Sequence, residues 1–125
     1  MILVDRELRA LLRQGDLKLA PLDDGLIQPS SIDLRLDSIA WVLRAGESPI
    51  DTRGKDLSQE YEDVDLSGDD GYVLGPHSCL IVQTYEHMQI PVTCLGRIAE
   101  RHDRHPVGEL HVGCSRVCVD LFIAA

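Results

Sequence analysis

At 125 residues the chain can form one domain with a modest core, and one Trp, one Phe and three Tyr leave aliphatic side chains to fill it. A net charge of −9 argues against a non-specific grip on nucleic acid, which needs clustered Lys and Arg, and no apolar run is long enough to span a bilayer. Asp5 and Glu7 near the start argue against a secretory signal, so the expectation is a cytoplasmic protein whose Cys79, Cys94, Cys114 and Cys118 are reduced.

Residues 5–14 read as a short helix. Asp5 suits the N-cap, Leu8, Leu11 and Leu12 make one apolar stripe, and Gly15 suits the stop. Leu17 and Leu19 alternate with polar neighbours and suggest a short strand, followed by a turn over 21–25. After Pro29-Ser30-Ser31 comes strict alternation. Ile32, Leu34 and Leu36 point to one face of a strand, and Asp33, Arg35 and Asp37 form a charged outer face. The next alternating set is Ile39, Trp41 and Leu43, so the phase is expected to slip near Asp37-Ser38 through a bulge or tight turn.

Residues 46–71 hold nine acids against Arg53 and Lys55, a net of −7, and read as a solvated acidic loop. The remainder is close to neutral, which leaves room for a local basic pocket that takes a phosphate group. Tyr72-Val73-Leu74 opens a second β block, and Gly75-Pro76 is a turn signal. Cys79 to Val82 is a continuous apolar run, expected to be a strand buried on both faces with Cys79 as a small core residue. Met88 and Ile90 alternate towards Pro91, and Leu95-Gly96-Arg97-Ile98 reads as another strand. Short strands separated by turns predict an all-β barrel or sandwich with one small helix.

These segments, in this order, resemble the dCTP deaminase family of the dUTPase-like superfamily. The resemblance rests on Leu3-Val4-Asp5-Arg6-Glu7-Leu8, on Ile27 to Leu36, and on Tyr72-Val73-Leu74-Gly75-Pro76. It continues through Gln83-Thr84-Tyr85-Glu86, Ile90-Pro91 and Leu95-Gly96-Arg97, and covers roughly residues 1–98. It implies a distorted dUTPase-like β-barrel, incomplete at its C-terminal side over a single domain 1–125, that assembles as a homotrimer with sites between subunits. It also implies hydrolytic deamination of dCTP to dUTP with Mg2+ on the triphosphate, onward hydrolysis to dUMP in some members, and no zinc. A carboxylate would polarise the water that attacks C4 of cytosine and return the proton to the departing amine.

Beyond residue 98 the chain departs from the family pattern. The family places Arg-Ser-Ser-x-x-Arg-x-Gly where this chain has Arg101-His102-Asp103-Arg104-His105-Pro106-Val107-Gly108. Arg101 matches the first arginine, both serines are replaced, and Arg104 could stand in for the second arginine only in a remodelled loop. Asp103 would set a negative charge where a triphosphate should sit. His111-Val112 matches a following His-Val. The family's Ile-Asp-Pro-Gly turn is absent, and treating it as a deletion brings Asp120 to the catalytic glutamate position. The resemblance therefore assigns Asp120 as the catalytic carboxylate and Arg101, Arg104 and His111 as substrate-binding. The bland alternative makes Asp120 a solvent-facing strand residue.

The tail also offers His102, His105, His111, Cys114 and Cys118 as possible zinc ligands, but their spacing fits no strong zinc signature. The zinc deaminases need His-x-Glu and Pro-Cys-x-x-Cys, and neither half is present. Cys114 near His111 lacks a third orienting group for nucleophilic catalysis. The leading expectation is a protein acting on dCTP or a related deoxynucleotide, without nucleic acid polymer or membrane as partner. The rival is a catalytically inactive trimeric relative or nucleotide-binding regulator, and a truncated or frame-altered product would carry the same pattern.

Overall fold

The computed structural model describes residues 1–44, 53, 60–68, 71–76, 78–100, 110–112 and 117–125; for 100, 110–112 and 117–119 only the backbone is described. Helix α1 (Asp5–Gln14) is followed by β1 (Lys18–Ala20), a 3₁₀ turn (Asp24–Leu26), β2 (Ile32–Leu43), β3 (Tyr61–Asp65) and β4 (Tyr72–Leu74). Then come β5 (Leu80–Thr84), β6 (His87–Gln89), β7 (Leu95–Glu100), β8 (Leu110–Val112) and β9 (Val117–Ala124). The fold is mainly β, its named pairings are all antiparallel, and α1 is its one α-helix among the described residues.

Helix α1 starts one residue earlier than its acidic residue suggests. Val4 takes the N-cap position in an extended conformation, and Glu7 Oε2 accepts its N–H at 3.0 Å. Asp5 lies inside the first turn, where its charge suits the helix dipole, and its Oδ1 accepts the N–H of Arg6 instead. Gly15 ends the helix at φ 80°, a conformation that costs glycine nothing. The apolar stripe turns inward: Leu8 is fully buried, with Leu11 and Leu12 packed beside it.

The twelve-residue β2 is the central strand of the largest sheet. Its first half pairs with β9, which in turn pairs with edge strand β7; its second half lies between β3 and β5. Ile32 and Leu34, with Leu121 and Ile123 of β9, form the centre of the main core, closed by Leu8, Leu17 and Leu19. Full burial of such side chains is worth about 2–3 kcal/mol each. A smaller core gathers Leu36, Ala40 and Leu66.

The register of β2 against β5 is irregular between Leu36 and Ala40, where the alternation breaks in the sequence. The buried set nevertheless keeps its phase. Ala40 is fully buried in line with Ile32, Leu34 and Leu36, while Ile39 and Leu43 face outward and are half exposed. This sheet has one core face, so β5 is not buried on both sides. Leu80 packs inward, but Ile81 is exposed opposite Trp41, and Cys79 is exposed before the strand begins. The stretch read as an acidic loop contains β3, whose Val64 packs on the smaller core while Glu62, Asp63 and Asp65 stay in solvent. Among the described residues no helix is long and apolar enough to cross a membrane.

Candidate active site

The outer face of the β7–β9–β2 sheet is read directly from its register. Partners across an antiparallel pair share a face, and residues two apart repeat on it. One rung joins Ala99, Asp120 and Asp33; the next joins Arg97 to Phe122; the next joins Leu95 to Ala124. The opposite face of the same strands carries Ile32, Leu121 and Ile123 in the core. Asp120 therefore projects away from the core on a rigid strand and is half-buried. Ala99, small and directly opposite, contributes little bulk beside it.

The charged face of β2 is less open than alternation alone implies, because two elements fold over it. Pro29 and the two serines turn the chain so that the Gln28 N–H donates to the Ser31 carbonyl at 2.8 Å. This brings Gln28 back over the strand, where its Nε2 donates to Asp33 Oδ2 at 2.9 Å. Asp33 is only 4% exposed. Two residues on, Glu86 reaches in from the turn after β5. Its carboxylate accepts the Arg35 backbone N–H at 2.8 Å and the Arg35 Nε–H at 2.6 Å. The Tyr85 ring lies 5.2 Å from the guanidinium carbon, a cation–π contact. The hydrogen bond to Glu86 holds the guanidinium above its ordinary pKa, against the opposing effect of burial.

Of the residues assigned from the sequence, Asp120 lies on this outer face beside Asp33. His111 lies on β8, opposite Val73 of β4, in a separate two-stranded sheet. Arg101 and Arg104 lie outside the described residues, as do His102, His105 and Cys114 of the considered zinc set. Among the described residues no three His, Cys, Asp or Glu side chains cluster as a metal site. The buried Glu86 and the fold-back of Gln28 were the features missed as site elements. Their signal was an acid directly after an apolar strand, in Thr84-Tyr85-Glu86, and an amide preceding Pro29.

The arrangement offers a carboxylate on a rigid strand, an aromatic side chain and an arginine one rung away, and a second acid held by an amide. Such a surface can polarise a water beside a planar ring and receive an anionic group.

A dCTP deaminase-like family model matches residues 2–115. The chain is 36% identical over 100 residues to a dUMP-forming dCTP deaminase of Corynebacterium jeikeium, covering 78% of this chain and 52% of that one. It is 34% identical over 91 residues to the corresponding protein of Persephonella marina, covering 73% and 50%. Among solved structures it resembles a 2′-deoxycytidine 5′-triphosphate deaminase from Agrobacterium tumefaciens, with a TM-score of 0.57 and 28% identity, over 98% of this chain and 41% of that one. The chain thus spans about half the length of the curated relatives it matches.

Proposed function

Since the chain belongs to the dCTP deaminase-like family, we propose that it hydrolyses the exocyclic amine of dCTP, with Asp120 as the catalytic carboxylate. The observation that carries this reading is the position of Asp120 on a core-anchored strand, facing outward beside Asp33, with Phe122 and Arg97 on the adjoining rung. The carboxylate takes a proton from water as its oxygen adds to C4, then passes that proton to the departing nitrogen. One dCTP and one water give one dUTP and one ammonia. The matched relatives are named as dUMP-forming, and the proposal extends to a second water that cleaves the same nucleotide to dUMP and pyrophosphate. Magnesium enters as the nucleotide's own counter-ion, and Arg101, Arg104 and His111 remain proposed substrate contacts.

We further propose assembly as a homotrimer, supported by the half-exposed Ile39, Leu43 and Ile81 on the outer sheet face. A second reading, nucleotide binding without turnover, is favoured by one specific observation: His102 and Asp103 replace the family's two serines. Chromatography of products from dCTP and Mg2+ separates the two. Ammonia with dUTP or dUMP supports the enzyme; intact dCTP with measurable binding supports the regulator.

A further inference from the structure

Building on the deaminase reading, we propose that Arg97 of β7 holds the phosphate chain of the bound nucleotide. With both family serines replaced, an anionic ligand needs another donor, and a guanidinium fork suits phosphate oxygens in geometry and charge. Arg97 is exposed on the same sheet face as Asp120, on the adjacent rung. It is the diagonal neighbour of Asp120, a separation of about 7–8 Å between backbones that long side chains bridge. Its guanidinium makes no hydrogen bond or salt bridge to another described residue, whereas Arg35 on that face is held by Glu86 and Tyr85.

The rungs also give an order along the face. Ala99 leaves space beside Asp120 for the amine edge of a base; Phe122 follows as an apolar surface for the ring; Arg97 lies across from Phe122, towards the edge of the sheet. A nucleotide laid along this row sets its reacting carbon at the acid and its phosphates at the arginine. Arg97 is thus a binding residue whose role is charge recognition, separate from the proton transfer of Asp120.

The test is calorimetric titration of the full chain with Mg2+–dCTP at several salt concentrations, for the wild type, Arg97→Ala and Arg97→Lys. Arg97→Ala is expected to weaken dCTP binding by about 10- to 100-fold and to flatten its salt dependence. Arg97→Lys, which keeps the charge and the aliphatic stem but lacks the fork, should fall between. Unchanged affinity in Arg97→Ala overturns the assignment while leaving the deaminase reading standing. Weakened binding with undiminished salt dependence also overturns it, because the arginine then acts through packing. A wild-type chain that binds no dCTP overturns both.

Discussion

Replacing Glu86 by Gln is expected to destabilise the fold by about 2.5 kcal/mol. The Glu86 side chain is fully buried, and its two oxygens separately accept the Arg35 backbone N–H and Nε–H. Gln preserves the shape but has one oxygen, so one donor faces an NH2 group. Losing a hydrogen bond between charged groups costs about 1.5–3 kcal/mol, and an unmet buried donor about 1–3 kcal/mol. The Arg35 side chain is 24% exposed, so water compensates in part and the lower end of each range applies. With an unfolding entropy of about 2.1 cal/mol/K per residue, the shift in Tm for a chain of 125 residues is about −10 °C.

Glu86→Leu alone should cost more, because it leaves a guanidinium without its counter-charge. Adding Arg35→Met should recover part of that loss, leaving mainly the orphaned Arg35 backbone N–H. Raising pH does not mimic the mutation. The raised Arg35 pKa means its contribution is complete below the unfolded value and is lost only as pH rises through the folded one. Urea unfolding followed by the fluorescence of Trp41, the single tryptophan, gives the four stabilities. A Glu86→Gln midpoint equal to the wild type, or a double variant less stable than Glu86→Leu, would refute the reasoning.

Hydrogen bonds from Ser67 hold the Asp65 carboxyl below its ordinary value, so its contribution is present above about pH 4 and lost as pH falls through the folded pKa. An NMR titration should show Asp65 below the ordinary carboxylate range, and Ser67→Ala should move it upward. A Cβ at Gly96 would overlap Ile90 Cδ1 and lie 3.3 Å from Leu121 Cδ1, so Gly96→Val should cost about 1–3 kcal/mol by urea denaturation. Gly15 has open space around it but a φ of 80°, so Gly15→Ala should cost only about 1 kcal/mol, measured the same way.

Local pattern made much of the fold legible. The leucine stripe and Gly15 defined α1, and Ile32, Leu34 and Leu36 gave the core face of β2. Where pattern misled, tertiary context decided. Ile39, Trp41 and Leu43 alternate as well as any core set, yet Ala40 is the buried residue, because the small core is filled from β3, β4 and β5. The apolar run at Cys79–Val82 looked doubly buried because hydrophobicity does not report how many faces of a sheet are covered. The proposed role of Asp120 comes only from following the family pattern across a missing turn, and its pairing with Asp33 depends on a contact between residues distant in sequence. The burial of Asp33 and the partial covering of Arg35 likewise go with the Gln28 and Glu86 contacts folded over them, which alternation cannot show.

The central claim is that Asp120 carries hydrolysis of dCTP. It is tested most directly by single-turnover reactions with enzyme in excess over Mg2+–dCTP, following ammonia release for the wild type, Asp120→Asn and Asp120→Glu. The wild type is expected to convert the nucleotide, and Asp120→Asn to slow this by at least about 100-fold, the usual scale of general acid–base catalysis. Asp120→Glu, which restores the longer side chain of the family pattern, is expected to match or exceed the wild type. No ammonia from the wild type, or equal rates for the wild type and Asp120→Asn, would contradict the claim.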